Sequence, residues 1–447
     1  MKKNELIKYT LLFVFFFVSL TFIFTLSRGD TFVNYGFSYA IAKGEIPYKD
    51  FNMVITPFAP MLYSIGLFVY NNILMIYLEQ ALLLTILFYY LEKLLDKKSI
   101  LMLLILIIPY PIAFVSIIYP GYNFLIVLLM FMFIYYFKNN KNDYMLGVLL
   151  GLIFCTKQTI GLILFIPTVY YLFKDRRKFI KIFIGCLIPC FLLLLYLLLT
   201  KSFNSFIDLC FLGLFDFGHS NLQVDIFYLL LLVIGIIYLI YRIYNDKKNI
   251  LLYYLLLFGI VVYPIIDYYH VSLFLIVIAY LIVDDIKVKK NIYKYINLLI
   301  VVVCLLWSFI SYQYLKPISI TNYKHFGLVI NREKYAKTSK KLINYCNSLN
   351  EEVIYFMRGS ENYFYKIIND KKLTYFDLPN NGNYGYNGIA RMKNKINNKH
   401  NVYFVIDRKL VKNNDSNQQY IKELGQFVIK ESKKTKSIGV YDIYYKE

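Results

Sequence analysis

Apolar residues gather into long runs over most of the first 312 positions, and polar residues gather in the short segments between the runs. A helix of about 20 apolar residues crosses the ~30 Å hydrocarbon core of a bilayer. The pattern predicts a polytopic α-helical membrane protein with about eleven transmembrane helices. The predicted spans are residues 6–26, 73–92, 99–118, 122–137, 144–156, 160–173, 180–200, 225–241, 250–266, 271–283 and 295–312.

Residues 28–72 form a large predicted first outer loop with two short helices. Aromatic residues recur at helical spacing behind Asp30, which is suited to cap a helix N-terminus; they are Phe32, Tyr35 and Tyr39. A second helix is predicted over residues 58–70, but its length of about 20 Å is short for a membrane span. We expect both to be interfacial helices that lie in the membrane plane.

The chain after residue 312 has a different pattern. Residues 352–357 and 401–406 are short β-rich runs, the sequence between them is helix-compatible around residues 361–369, and residues 379–388 are rich in turn formers. This predicts a transmembrane domain over 1–312 and a small C-terminal α/β domain over 313–447. That domain is interpreted either as an acceptor-binding or lid domain or as a stabilising cap.

Composition and charge place the chain in a membrane. Its 447 residues are 59% hydrophobic and 17% charged, which argues against a soluble cytosolic enzyme, and its net charge of +21 is expected at membrane surfaces without any nucleic-acid partner. The model with eleven spans puts twenty basic residues in short loops on one side and five on the other. The positive-inside rule then predicts a multi-pass plasma-membrane protein with a cytoplasmic N-terminus and an extracytoplasmic C-terminal domain.

Acidic residues in the first outer loop are candidates for catalysis. Asp30, at the outer end of the first span, could take a proton from an incoming hydroxyl, or it could merely cap the following helix. Glu45 and Asp50 rank below Asp30 and are candidates for substrate binding, and the alternative is that both are solvated loop charges.

A single lysine separates two apolar segments of about 14 residues each. Because such segments are only about 20 Å long, Lys157 should lie in a recess below the outer surface. A buried ammonium there costs about 2.5–3.5 kcal/mol unless an anion accompanies it, and a lipid phosphate is a suitable anion. Gln158 adds hydrogen-bond donors beside it, and the alternative is that Lys157 snorkels to the interface. Asp267 and His270 in a later outer loop could bind substrate or face water.

Several of these stretches, taken in order, resemble the polytopic GT-C glycosyltransferases. The likeness is greatest to the bacterial branch related to protein O-mannosyltransferases and lipid A aminoarabinose transferases, and it covers about residues 1–312. It is carried by Arg28-Gly-Asp30, Tyr35, Tyr39 to Asp50 with Tyr48 inside it, Pro57 with its amphipathic segment, and Gly151 to Lys157.

The resemblance implies transfer of a sugar from a polyprenyl-phosphate donor to a hydroxyl-type acceptor, which would be a cell-surface glycan, lipid or protein, at the outer membrane face. It implies that Asp30 is the base and that Thr156 and Lys157 lie near the donor phosphate, with Tyr48 a substrate-binding candidate.

Two departures concern metal binding. Many relatives have Asp-Glu where this chain has Asp30-Thr31, and an acidic residue near the position of Asn123. A divalent metal cofactor is therefore one alternative, and metal-independent transfer is the other.

Two other function classes compete with this interpretation. A transporter or flippase of a lipid-linked glycan would also hold a buried cation, but such folds usually contain repeats with paired interrupted helices, and Lys157 marks only one clear interruption. A non-catalytic membrane scaffold would leave the long first loop and Lys157 unexplained.

Overall fold

A computed structural model describes most of the chain, in the ranges 3–22, 29–95, 120–215, 223–260, 262, 265–285, 318–379, 382–412 and 419–447. The predicted spans 99–118 and 295–312 lie outside these ranges. By internal contacts the chain divides into two compact units. The first comprises residues 1–22, 78–193 and 223–314, and the second comprises residues 23–77, 194–222 and 315–447.

The described part of the first unit is built almost entirely of apolar helices. Those with most of their residues in it are α1 (Lys3–Phe22), α4 (Ile73–Leu94), α5 (Tyr122–Lys138), α6 (Asp143–Thr156), α7 (Gln158–Phe165), α8 (Val169–Lys174), α9 (Arg176–Leu199), α11 (Ile226–Asn245), α12 (Ile250–Ile260) and α13 (Tyr268–Asp285), with the two-residue strands β1 (Gln223–Val224) and β2 (Ile265–Ile266). They coincide with the predicted spans in the described ranges. Four of them, α1, α4, α9 and α11, are long and apolar enough to cross a membrane.

Small residues bring α6 and α9 into close contact. A side chain at Gly147 would overlap the backbone of Ile182, and one at Gly151 would overlap Cys186 and Pro189 on the facing helix. Close backbone approach through small residues is how membrane helices gain packing energy without a hydrophobic driving force. This packing fixes the C-terminal end of α6, where Thr156 and Lys157 lie.

Charged side chains of the first unit gather at one end of the helices. Phe131 of α5 contacts Tyr280 of α13, and Lys138 pairs with Asp284, so these two helices run in the same direction and end together. Other pairs at helix ends joined by the predicted basic loops are Lys8–Glu92, Lys178–Asp143, Lys181–Asp143 and Arg242–Asp285. The predicted topology puts the loops that join these helix ends on the same side of the membrane, in agreement with this grouping.

The second unit contains the predicted first outer loop and the predicted C-terminal domain. Its described elements are α2 (Gly29–Ala42), α3 (Phe58–Val69), α10 (Phe203–Ile207), β3 (Ile318–Tyr323), β4 (Gly327–Arg332), α14 (Glu333–Asn347), β5 (Glu352–Phe356), α15 (Gly359–Ile368), α16 (Gly388–Asn397), β6 (Val402–Asp407), α17 (Arg408–Lys412), α18 (Gln419–Glu431), β7 (Lys433–Ile438) and β8 (Tyr441–Lys446). The prediction of two short loop helices and of a small α/β region is confirmed. The described part of α2 includes Asp30, so Asp30 is a helical residue rather than a cap before the helix.

The C-terminal strands form a hairpin and a four-stranded sheet. The sheet has the order β5-β6-β8-β7, with β5 and β6 parallel and the other pairs antiparallel. Alternate residues of β5 and β6 face a core with α16 and α18, and that core contains Ile354, Phe356, Phe404, Ile406, Met392, Leu424 and Val428. Burial of these apolar side chains, at roughly 25 cal/mol per Å², stabilises this layer.

Helix α2 packs tightly on α15 of the C-terminal region. Gly36 of α2 lies against the ring of Tyr363, which is completely buried, and any side chain at position 36 would overlap that ring. Phe32 and Phe37 on either side of this contact also meet aromatic rings of α15, Phe364 and Tyr363. The predicted first outer loop is therefore held by the C-terminal region through an interface that admits only glycine at its centre.

We expect Gly36→Ala to destabilise the protein by about 1–3 kcal/mol, because the new methyl group overpacks the contact with Tyr363. At an unconstrained helix position the same change would stabilise by up to about 1 kcal/mol, so the expected sign is opposite to helix propensity. Thermal unfolding of the purified protein in detergent measures the effect.

The double-mutant cycle with Tyr363→Leu tests its cause. In that background the ring is gone, and Gly36→Ala should be neutral or stabilising. An undiminished penalty in the Tyr363→Leu background would contradict the packing explanation.

Candidate functional site

Asp30 lies within the described part of α2, next to Gly29, its first described residue. Its side chain lies outside what the structure describes, so its assignment as a base stays a prediction. The rest of α2 is fixed by the buried contacts with α15.

Glu45, in the loop after α2, is buried rather than solvated. The side chain is 7% exposed, and its Oε2 accepts a hydrogen bond from the backbone N–H of Leu373 at 3.1 Å. Burial raises the pKa of Glu45 to about 7, although the Leu373 N–H and the charge of Lys366 oppose the rise. Its interpretation as a solvated loop charge is wrong, because a segment 328 residues away in sequence covers it.

A fully buried ion pair lies in the segment that donates a hydrogen bond to Glu45. Lys366 Nζ donates to Asp377 Oδ2 at 2.7 Å, with side-chain exposures of 2% and 0%. Lys366 also donates to the carbonyl oxygen of Lys372, and the backbone N–H of Thr374 donates to Asp377 Oδ2. Breaking such a pair leaves a buried charge uncompensated, so the segment that binds Glu45 is held rigidly.

Tyr48 and Asp50 complete the predicted acidic stretch of this loop, in different environments. Tyr48 is completely buried and has a φ of +68°, and its hydroxyl donates to the carbonyl oxygen of Ile55 at 2.6 Å. Asp50 is exposed and accepts the Ile46 N–H at 2.7 Å. Tyr48 therefore shapes the loop, whereas the Asp50 carboxylate faces outward.

The end of α2 joins a hydrogen-bond network that sequence reasoning missed. Tyr39 donates to Asp370 Oδ1 at 3.0 Å, and His325 Nε2 lies 2.7 Å from the same oxygen. Burial opposes ionisation of Asp370, but hydrogen bonds from Lys324, His325 and Tyr39 lower its pKa to about 2. The network unites three segments distant in sequence, so no local pattern could have revealed it.

Asp208 ties another predicted outer loop to the C-terminal region. Its carboxylate accepts the Tyr386 N–H at 3.1 Å and Arg391 Nη1 at 2.7 Å. It belongs to a single π-helical turn, Asp208–Leu212, and Gly385 leaves room for its oxygen. These bonds give Asp208 a structural role within the second unit.

Lys157, in the first unit, lies at a break between two helices. Its φ and ψ of −152° and 107° are extended, so α6 ends at Thr156 and α7 begins at Gln158, as the sequence predicts. The side chain is half-buried, with Nζ 5.6 Å from the centre of the Tyr122 ring. Lys157 is also the N-cap residue of α7. The residue that carries the ammonium therefore lies at the positive end of that helix.

The polar neighbours of Lys157 are deeply buried. Thr156 is fully buried, but its hydroxyl donates to the Leu152 carbonyl oxygen at 2.7 Å, and Gln158 is 1% exposed. Asn123 follows Tyr122 on α5 and is 1% exposed, and neither atom of its amide has a hydrogen-bond partner among the described residues. In the sequence, Asn123 differs from the acidic residue that many relatives have near this position. Nothing in the sequence indicates that its side chain is buried.

Asp267 and His270 come together at the start of α13. Asp267 Oδ1 accepts the backbone N–H groups of Tyr269 and His270, and it lies 2.8 Å from His270 Nδ1. Asp267 therefore caps α13 and orients the imidazole of His270. Both side chains remain partly exposed.

Lys157, Tyr122 and Asp267 lie near the same end of the first unit. At 1.5 Å per residue, Lys157 is about 21 Å from Asp143 along α6, Tyr122 is about 24 Å from Lys138, and Asp267 is about 25 Å from Asp284. All three therefore lie opposite the end with the ion pairs. The predicted donor residues and the pair Asp267–His270 occupy the end with few charges.

Among the described residues, no cluster of three or more His, Cys, Asp or Glu side chains is arranged to hold a metal ion. The five cysteines in the described ranges are free thiols.

Comparison with known proteins identifies the fold. No protein-family model matches the chain, and no curated protein sequence matches it. The crystal structure of the aminoarabinose transferase ArnT from Cupriavidus metallidurans, bound to undecaprenyl phosphate, matches with a TM-score of 0.58 and 9% identity over 99% of this chain and 98% of that one. The oligosaccharyltransferase of Archaeoglobus fulgidus, in its apo form, matches with a TM-score of 0.50 and 11% identity over 92% of this chain and 70% of that one. The chain has the GT-C fold of these membrane glycosyltransferases, as the sequence predicts.

We expect stability to fall as pH rises from about 4.5 to about 7, because of Glu45. In this window the unfolded carboxyl loses its proton while the buried one keeps it, so the folded state binds more protons and loses stability with rising pH. After allowance for partial solvent screening the loss is about 1–2 kcal/mol. Glu45→Gln keeps an acceptor for the Leu373 N–H and should flatten this part of the profile, measured as melting temperature against pH.

Asp50→Asn is the matched control, since it neutralises an exposed carboxylate of the same loop. It should retain the wild-type slope between pH 5 and pH 7. An equal slope in wild-type protein and Glu45→Gln would contradict the assignment to Glu45.

Proposed function

We propose that the protein is a membrane glycosyltransferase that moves a sugar from a polyprenyl-phosphate donor to a hydroxyl-type acceptor on a cell-surface glycan, lipid or protein. The observation that carries the proposal is the likeness in fold to ArnT over 99% of this chain, in a structure that holds undecaprenyl phosphate. A shared fold permits different chemistries, so the residues must supply the chemical argument.

Lys157 supports the donor half of the reaction. An ammonium about 21 Å from one end of the helices would lie inside a ~30 Å hydrocarbon core, where the low dielectric strengthens its attraction for a phosphate. The N-terminus of α7 begins at the next residue, and helix N-termini bind phosphate through their backbone N–H groups. The close packing of α6 on α9 holds both in place, so the cation is positioned before the phosphate arrives.

Asp30 is assigned to the acceptor half. In the proposed step its carboxylate takes the proton of the acceptor hydroxyl, the acceptor oxygen forms a bond to the anomeric carbon, and the bond from that carbon to the phosphate oxygen breaks. The phosphate leaves with the electron pair, and Lys157 stabilises its charge. Because polyprenyl phosphate is a good leaving group, a base of ordinary strength is sufficient.

The distribution of charge supports an orientation. The end of the first unit with the ion pairs carries the short basic loops, which the positive-inside rule places in the cytoplasm. The end with Lys157, Asp267 and His270 would then face the outer leaflet. This orientation puts transfer at the outer face of the plasma membrane.

We expect Asp30→Asn to abolish transfer while leaving folding intact, because the amide cannot accept the hydroxyl proton. Lipid mass spectrometry of host membranes should show a polyprenyl-phosphate monosaccharide that accumulates in a deletion strain and in the strain with Asp30→Asn. The wild-type complemented strain should show no accumulation. Full rescue of the deletion phenotype by Asp30→Asn would contradict catalysis by this residue and favour transport of a lipid-linked glycan.

We expect Lys157→Ala to weaken binding of undecaprenyl phosphate by at least tenfold, and Lys157→Arg to recover part of the loss, because a cation next to a phosphate contributes about 1.5–3 kcal/mol. Binding to the purified protein is measured by the ligand-induced rise in melting temperature. Lys201→Ala, which removes an exposed lysine of another predicted outer loop, is the control and should bind as the wild type does. Unchanged binding by Lys157→Ala would exclude Lys157 from the phosphate site.

A further inference from the structure

The hairpin formed by β3 and β4 has one buried face and one exposed apolar face. On the buried face, Val329 is completely buried and the Tyr323 ring packs on Phe364 of α15 at 5.2 Å. On the other face, Ile320 and Leu328 are 64% and 67% exposed. The register pairs Ile320 with Ile330 and Asn322 with Leu328, so Ile320 and Leu328 project from the same side of the ribbon.

Hydrogen bonds tie the tip of this hairpin to the start of a membrane-length helix. His325 Nδ1 lies 2.8 Å from the Asn71 carbonyl oxygen, and the backbone N–H of Ile73 donates to the His325 carbonyl oxygen at 2.9 Å. Ile73 is the first residue of α4, a mostly apolar helix of 22 residues that is long enough to cross a bilayer. A helix of this kind begins at the membrane surface, so the hairpin tip lies there too.

The length of the segment before the hairpin also indicates that the hairpin lies near the membrane surface. The last predicted span ends at residue 312 and β3 begins at Ile318, a separation of six residues. Six residues reach at most about 20 Å when fully extended, which keeps the start of β3 close to the end of a span. The hairpin tip is bonded to the start of α4, and a span that ends at residue 312, as the sequence predicts, would keep the start of β3 near the same boundary.

Helix α3, which precedes Asn71, presents a similar surface. It ends at Val69, and its exposed apolar side chains near that end are Ile65, Phe68 and Val69. Tyr70 and Lys324, both exposed, border the junction, and aromatic and basic residues are typical of membrane interfaces. Elsewhere in the described part of residues 318–447, the strongly exposed large apolar residues are tyrosines, with Ile429 only 38% exposed.

We infer that the C-terminal domain docks on the outer leaflet through the exposed face of the β3–β4 hairpin, with Ile320 and Leu328 inserted into the acyl region beside α3. The occupant of this face is lipid, because the hairpin is bonded to the boundary of α4. The inference goes beyond the proposed function, since it assigns a membrane-binding role to the domain and involves neither donor nor acceptor.

Tryptophan quenching by brominated lipid tests this inference in the full chain. The chain has one tryptophan, Trp307, so Trp307→Phe provides a silent background for Leu328→Trp, Ile320→Trp and Phe68→Trp. In vesicles of phosphatidylcholine brominated on the acyl chains, emission from Leu328→Trp and Ile320→Trp should be quenched as strongly as that from Phe68→Trp. Ile429→Trp, on α18 of the same domain, is the matched control and should keep its emission.

Two results would overturn the inference. Quenching of Phe68→Trp without quenching at positions 320 and 328 would show that the hairpin does not enter lipid. A blue-shifted, unquenched emission at 328 that changes with the ratio of protein to lipid would show that a second protein copy covers the face. Because the readout needs no sugar transfer, its failure leaves the proposed function standing, and a melting curve of each variant confirms that it is folded.

Discussion

The contact between Gly36 and the buried ring of Tyr363 is the constraint on which the predicted outer loop depends. A loop between two membrane spans would otherwise pay a large entropic cost to hold a single conformation. Here α2 lies against α15, and the loop after it is fixed by Glu45 on Leu373 and by the buried Tyr48. Packing against the C-terminal region therefore holds this loop in a single conformation.

This arrangement bears on the two interpretations of the C-terminal domain. A cap that only stabilised the fold would require apolar contacts, and the core between the sheet and its helices supplies them. The contacts with the first loop are different, because they include a carboxyl group with a pKa of about 7 and a hydrogen-bond network around Asp370. Polar contacts of this kind fix position more than they add stability, which favours a domain that positions the loop carrying Asp30.

Local pattern was enough for the apolar helices and for strands β5 and β6, because these elements are decided by nearby residues, but it did not predict β3, β4, β7 and β8. The apolar runs predicted the described helices, and the lone Lys157 predicted the break between α6 and α7. Pairing across the chain could not be predicted. Glu45 and Leu373 are 328 residues apart, and nothing near Glu45 in the sequence indicates that a distant segment desolvates it. The burial of Asn123 was missed for a related reason: the predicted span 122–137 includes it, but the neighbouring segments that cover its side chain are distant in sequence.

The chemistry assigned to Lys157 follows from where the chain leaves its regular geometry. An uninterrupted helix would have its backbone N–H groups satisfied internally, and a lysine on it would extend to the surface. The extended conformation at Lys157 instead ends α6 and starts α7, so a charged side chain and a helix N-terminus coincide. Both attract an anion, which supports the proposal that a lipid phosphate binds there. The glycines of α6 stabilise this geometry, because they let the interrupted helix pack directly on the backbone of α9.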